Sequence, residues 1–209
     1  MTQTLRGLYV IIDPAVAGGR DVSHVAREAI AGGAALLQWR DKTREKGLQI
    51  AEVRALADVC RGAGVPLIVN DHVDLALAAE ADGVHVGQLD LPVSVVRRLV
   101  PDGWIVGAST NNAGEARAAE ADGADYVSVG NLFGTTSKDD TRPATPDMLR
   151  EVKAAVRVPV CAIGGIDDTN IAEVIAAGAD MASVISAVIA AGDPRAAAQR
   201  LAAAFDHPI

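Results

Sequence analysis

Three cations, Arg40, Lys42 and Lys138, sit where short apolar runs give way to polar residues, in a chain whose formal net charge is −8. A positive cluster on a negative chain selects a polyanion, and one guanidinium fork with two ammonium groups matches a pyrophosphate. Asp71 and Asp90 follow two neighbouring apolar runs, and their carboxylates offer two hard oxygen ligands for Mg2+, which completes its shell with water and substrate phosphates. The competing reading is helix capping, because Asp71 precedes a helical pattern over 73–80 and Asp90 stands just before Pro92. Gly164-Gly165 and Ser186 form a third group, in which glycines admit close backbone approach and N–H groups at a helix start can hold a phosphate. Arg44 and Lys46 belong to a mixed run with Asp41 and Glu45 and read as solvated charges. Gly134-Thr135-Thr136-Ser137-Lys138 lacks the G-x-x-x-x-G-K-S/T spacing of an ATPase loop and reads as a hydroxyl-rich rim loop. His72, His85, Cys60 and Cys161 have no partners at the spacing of a triad or metal site, and His85 reads as an ordinary strand residue.

The elements that must position these groups alternate along the whole chain. Strand-like runs are expected at Gly7 to Asp13, Ala35 to Arg40, Pro66 to Asn70, Gly83 to Val86, Trp104 to Ala108, Asp125 to Val129, Pro159 to Ile163 and Met181 to Ile185. Helical patterns lie at 21–32, 45–62, 73–80, 93–100, 112–121, 145–156, 168–177 and 194–205. Near-continuous apolar strands are those of a parallel sheet buried on both faces. Eight such units predict an α/β fold, a single (β/α)8 TIM barrel spanning 1–209. A doubly wound open sheet is the alternative, but the first run is followed by Asp13-Pro14 and not by a dinucleotide fingerprint. In a barrel, chemistry gathers at the C-terminal ends of the strands, and there the sequence places Gln38 to Lys42, Asn70 to His72, Gln88 to Asp90, Ser109-Thr110, Gly164-Gly165 and Ile185-Ser186. The opposite rim carries Gly, Ala, Asp and Pro turns, among them Ala78-Ala79-Glu80-Ala81-Asp82-Gly83 and its repeat Ala118-Ala119-Glu120-Ala121-Asp122-Gly123, and this asymmetry points to an enzyme.

Composition removes several classes. The pI near 4.9 and net negative charge give no general attraction to nucleic acid or an anionic membrane, and 3% aromatic residues leave little for base stacking. No run approaches the roughly 18 apolar residues of a membrane span, and the first residues lack a signal-peptide pattern. Two distant cysteines make no disulfide framework. A cytoplasmic protein acting on small molecules is therefore expected, with self-association into a homo-oligomer left open.

With these residues in place the chain resembles the thiamine phosphate synthase (thiamine-phosphate pyrophosphorylase) family over nearly its whole length. The likeness is carried by Leu8-Tyr9-Val10-Ile11, Gln38-Trp39-Arg40-Asp41-Lys42, Val69-Asn70-Asp71, Gly83 to Pro92, Ala124 to Val127, Thr135 to Lys138 and Ala162 to Ile166. The resemblance implies a (β/α)8 transferase of thiamine biosynthesis. It joins a hydroxymethylpyrimidine diphosphate to a thiazole phosphate and releases pyrophosphate with Mg2+. It implies that Gln38, Trp39, Arg40, Asp41, Lys42, Asn70, Ser109 and Lys138 hold the pyrimidine diphosphate, with Arg40, Lys42, Ser109 and Lys138 acting in catalysis. By the same likeness Asp71 and Asp90 bind the metal, and Thr135, Thr136, Ser137, Gly165, Ile185 and Ser186 hold the thiazole phosphate. The chain departs from the family at Trp39, Asp41, Asn131, Gly134 and Ser137, and loss of prolines at 131 and 134 implies a more mobile rim loop. Two other functions are weighed. A thiazole tautomerase on the same barrel has no use for a diphosphate clamp, and a catalytically silent phosphate-binding regulator would have lost the carboxylate pair.

Overall fold

In a computed structural model describing residues 5–134 and 143–206, strand and helix alternate from β1 (Gly7–Ile12) and α1 (Val22–Ala31) onward. There follow β2 (Ala34–Trp39), α2 (Lys46–Ala63), β3 (Leu67–Asn70), α3 (Val73–Ala78), β4 (Gly83–Val86) and α4 (Val93–Leu99). The second half continues with β5 (Ile105–Thr110), α5 (Ala113–Ala121), β6 (Tyr126–Val129), α6 (Pro146–Ala155), β7 (Val160–Ile163), α7 (Ile171–Ala176) and β8 (Met181–Val184). Two helices end the chain, a four-residue α8 (Ser186–Ile189) and α9 (Pro194–Ala203). Each strand pairs in parallel with the next, and β1 pairs with β8, so the sheet closes into a single (β/α)8 TIM barrel. The expected architecture stands. The short α8, in which Ser186 is the first residue and not a strand end, is not visible in the apolar pattern.

The repeated Ala-Asp segments acquire a specific role at the lower rim. Asp82, Asp125 and Asp180 each precede a strand and accept, through Oδ2, an amide at the start of the adjacent preceding strand: Leu67 at 2.8 Å, Val106 at 2.7 Å and Val160 at 2.7 Å. The structural repeat is therefore Ala81-Asp82, Ala124-Asp125 and Ala179-Asp180, three residues out of step with the sequence repeat that aligned Asp82 with Asp122. Helices α3, α5 and α7 end alike just before it: the residue two before each Asp lies at positive φ, and the next amide reaches back five residues, as in Ala81 to Ala76, Ala124 to Ala119 and Ala179 to Val174. This is the Schellman closure, which suits glycine. Gly123 (φ 99°) and Gly178 (φ 98°) obey it, whereas the third position is Glu80 at φ 54°. The Glu80 side chain is 84% exposed and only 4.0 Å from Arg61, so it returns little for its backbone strain. Glu80→Gly is expected to stabilise the fold by about 1 kcal/mol, roughly 2–4 °C in Tm for a domain of this size, and a thermal melt that stays level or falls would refute the strain.

Two cores share the strands. Outward residues pack against the helices, while Leu5, Tyr9, Leu36, Ile68, Tyr126, Cys161 and Met181 fill the lower barrel. Two residues beyond Leu36, Ile68, Tyr126 and Met181 come Gln38, Asn70, Ser128 and Ser183, on the same inward face, and His85 and Ser109 stand two beyond Gly83 and Gly107. Above the apolar floor the interior is mostly polar, with Ile11 and Ile163 as its apolar members. Glycines fit this filling: a Cβ at Gly107 would lie 2.1 Å from Cζ of Tyr126, so its absence admits that ring. Both cysteines are buried and neither forms a disulfide among the described residues, and burial, with Asp82 nearby, pushes the Cys60 thiol up to about 12. Among the described residues no helix is long and apolar enough to cross a membrane.

Candidate active site

The C-terminal ends of the strands surround a cavity of about 1130 Å3. Of the residues expected to do chemistry, Arg40, Lys42, Asn70, Asp71, Asp90, Ser109, Gly165, Ile185 and Ser186 all line it. Thr135, Thr136, Ser137 and Lys138 lie outside the described residues, although Gly130 and Asn131, which lead toward them, line the same cavity.

Strand β2 shows how period two sorts its polar end. Gln38 points into the barrel, where Nε2 donates to the Tyr9 hydroxyl at 2.6 Å. Trp39 points out, is 1% exposed, and donates from Nε1 to Oε1 of Gln49 on α2 at 2.8 Å. Arg40 returns to the cavity. Asp41 turns onto its own loop: its carboxylate accepts the Thr43 amide at 2.9 Å, the Thr43 hydroxyl at 2.8 Å and the Arg44 amide at 3.2 Å, and pairs with the Arg44 guanidinium. Burial works against ionisation there, but these donors prevail and hold its carboxyl below the usual range. None of Gln38, Trp39 and Asp41 lines the cavity, although the resemblance implied substrate contact for all three; Gln38 lies below it inside the barrel, and Trp39 and Asp41 support the segment from outside. Arg44, expected to be solvated, instead joins Asp41 to Glu52 and lies over the Trp39 ring at 5.8 Å, clamping the segment that presents Arg40 and Lys42.

Arg40 has a partner that its sequence neighbourhood did not reveal. Its Nη1 pairs with Oδ2 of Asp13, at the end of β1, with side-chain exposures of 9% and 4%. Asp13 also accepts the Ala15 amide at 3.0 Å. The Arg40 Nε–H is buried with no acceptor among the described residues, a donor whose lost hydration a ligand oxygen or water would restore.

Neither Asp71 nor Asp90 caps the helix that follows it. The residue at the N-cap of α3 is His72 and that of α4 is Pro92, and neither helix receives a side-chain cap. Asp71 instead meets Lys42 Nζ at 3.2 Å, and Asp90 accepts the Gly87 amide, upstream of it, at 2.7 Å. The two carboxyls stand within hydrogen-bonding reach of each other; burial and the Asp90 carboxyl push the Asp71 pKa up, against the pull of Lys42. Asp71 also sits at φ 62°, a left-handed conformation that Asp and Asn tolerate better than most residues. Among the described residues no group of three or more His, Cys, Asp or Glu could hold a metal by itself. Two converging carboxylates leave the other positions of a hard cation to water and ligand oxygens, which fits Mg2+.

On the far side Gly165 has φ 66°, and a Cβ there would fall 2.3 Å from the Gly134 carbonyl oxygen. Its smallness therefore serves the packing of the 130–134 loop as well as any ligand. Gly134 has φ 77°, an angle closed to the proline common there in the family. His85, read from sequence as an ordinary strand residue, lines the cavity with its Nε2 3.0 Å from Ser109 Oγ and Nδ1 2.9 Å from the Tyr126 hydroxyl. The signal that could have found it is its inward register, two residues beyond Gly83.

Comparison with known proteins agrees with this geometry. "Thiamine-phosphate synthase" of Moorella thermoacetica is 49% identical over 93% of this chain and 93% of its own length. The protein of that name from Chloroflexus aurantiacus is 49% identical over 94% of this chain and 91% of its own. Among solved structures, "Thiamine phosphate pyrophosphorylase" from Pyrococcus furiosus superposes with a TM-score of 0.88 at 36% identity, covering 96% of this chain and 95% of that one. A 3-hexulose-6-phosphate synthase, 20% identical with a TM-score of 0.68, shares the fold alone. A family model described as thiamine monophosphate synthase matches residues 8–188, taking in every strand and every described residue of the cavity wall, and the chain belongs to that family.

Proposed function

We propose that the chain is a thiamine-phosphate synthase, a Mg2+-dependent transferase that joins a 4-amino-2-methylpyrimidine bearing a 5-diphosphomethyl group to a thiazole phosphate and releases pyrophosphate. The observation that carries this reading is the convergence on one cavity of the Arg40–Lys42 cations, the Asp71–Asp90 carboxylates and, opposite them, Gly165, Ile185 and Ser186. Arg40 and Lys42 hold the diphosphate, and their charge offsets the negative charge that accumulates on it as the methylene carbon–oxygen bond breaks. Asn70 and Ser109 offer hydrogen bonds to the same substrate, and the electron-rich aminopyrimidine carries the positive charge left on its methylene carbon. The thiazole nitrogen then supplies the electron pair of the new carbon–nitrogen bond, so no protein nucleophile is required. Gly165, Ile185 and Ser186 hold the thiazole phosphate, and Thr135 to Lys138 belong to this reading by their family resemblance. Asp71 and Asp90 would hold Mg2+, which when bound neutralises diphosphate oxygens. A cytoplasmic location belongs to the same reading, supported by two buried cysteines that form no disulfide among the described residues. The test is pyrophosphate release by the purified chain with Mg2+ and both substrates. Release that needs all three is the expected result, whereas thiazole proton exchange without release would identify a tautomerase instead.

A further inference from the structure

We propose that Gln38, Tyr9, Tyr126 and His85 form a one-directional hydrogen-bond relay that makes the Ser109 hydroxyl a donor toward the cavity, and hence a specificity-determining contact for an acceptor atom of the pyrimidine diphosphate. The recognition half rests on the function proposed above; the relay half does not.

The direction follows from which atoms can donate. Gln38 Nε2 carries only hydrogens and lies 2.6 Å from the Tyr9 hydroxyl, which must accept. The relay assigns the Tyr9 hydrogen to the Tyr126 hydroxyl, 3.0 Å away. Tyr126 then donates to Nδ1 of His85 at 2.9 Å. An imidazole that accepts at Nδ1 carries its proton on Nε2. That nitrogen lies 3.0 Å from Ser109 Oγ, with Ser128 Oγ at the longer 3.5 Å. Having accepted from His85, Ser109 has its hydrogen left for an acceptor in the cavity it lines. A hydroxyl oxygen can accept twice, so the Gln38 amide orients Tyr9 and the His85 tautomer is the observable that reports the direction of the rest.

The rings that carry the relay are held in place. Tyr126 stacks on His85 at 5.5 Å and meets Tyr9 edge-on at 6.0 Å, in the space that Gly107 leaves open. Burial raises both tyrosine pKa values above the usual phenol range, so both remain donors throughout the working range of pH. Tyr9 and Tyr126 touch no reacting atom in this scheme and are positioning residues.

The test uses the full chain with 15N-labelled histidine, whose ring shifts report the tautomer, first without substrate. His85 is identified by the signals lost in His85→Gln. Wild type is expected in the Nε2–H form. In Tyr126→Phe, which keeps the ring, the Nδ1–H form should appear. Tyr9→Phe keeps the ring and removes only the hydroxyl that bonds Gln38 and Tyr126, yet it should also mix the tautomers because the Tyr126 hydroxyl loses its orientation. Both variants should raise KM for the pyrimidine diphosphate about tenfold and leave KM for the thiazole phosphate unchanged. Wild-type His85 protonated at Nδ1, or Tyr9→Phe with an unaltered tautomer, overturns the relay. Altered tautomers with unaltered KM overturn the recognition role. Because the tautomer is read without substrate, the relay stands or falls whether or not the protein releases pyrophosphate.

Discussion

Arg40→Ala is expected to cost about 3–5 kcal/mol of stability in addition to activity, because it strands the Asp13 carboxylate in a buried site. From its sequence position alone Arg40 reads as dispensable for the core, a cation reaching for a ligand. The structure corrects that expectation, since both side chains are under 10% exposed and each is the other's charge partner. A loss of that size takes between about a fifth and all of the roughly 5–15 kcal/mol that separates a typical domain from its unfolded state, so a dead Arg40→Ala enzyme would prove nothing about catalysis. The informative variant removes both charges. Asp13→Asn retains an oxygen for the Ala15 amide, and Arg40→Met retains the apolar stem, so the double variant should recover to within about 1 kcal/mol of wild type. Its kcat should nevertheless stay down by roughly a hundredfold or more if the guanidinium acts on the departing diphosphate. Urea melts and steady-state rates of the two single variants and the double separate the roles, and recovery of kcat together with stability would remove Arg40 from the chemistry.

How far the sequence reveals this site depends on which face of a strand is in question. All eight strands and the polar character of their ends are legible, because β-branched runs alternating with Ala-rich helical patterns leave little choice of architecture. What hides is the direction of each side chain, since a barrel strand is buried on both faces and its apolar run has no polar side to mark the outside. Trp39 and Asp41 lie inside a family motif and so share its implied role, although alternation from Gln38 sends Trp39 outward onto α2. Tyr9, Tyr126 and His85 are scattered over three strands and meet only when the barrel closes, and no spacing along the chain announces that meeting. Asp13 hides for a similar reason, because its pairing with Arg40 joins the ends of β1 and β2. The lower rim shows the opposite case: the sequence repeat was visible, but its structural phase was fixed by Asp82, Asp125 and Asp180, and the literal match to Asp122 was out of step.

Asp71→Asn and Asp90→Asn are each expected to raise the Mg2+ concentration for half-maximal pyrophosphate release roughly ten- to a hundredfold. In metal-free buffer the same changes should leave stability level or higher. The capping reading no longer competes, since neither carboxylate serves a helix, and the Asn variants keep the backbone comfortable at φ 62°. The sign of the stability effect follows from Asp71. Burial and the Asp90 carboxyl raise its folded pKa above the unfolded value of 3.8, despite Lys42. A carboxyl so shifted favours the fold fully below the unfolded pKa, and that contribution is lost as pH rises from about 3.8 through the raised folded value. Metal-free wild type should therefore fall relative to Asp71→Asn across that window and run parallel to it above. On the proposed metal role the doubly ionised pair is the form that takes Mg2+, so adding it at neutral pH should stabilise wild type and reverse the order of the two melts. Because both carboxylates serve one ion, the double variant should lose less than the product of the single losses. Melting curves against pH, with and without Mg2+, test the site independently of turnover. A wild-type melt indifferent to Mg2+, together with an unchanged Mg2+ requirement in both single variants, would mean that the two carboxylates repel each other at this rim for some purpose other than a metal.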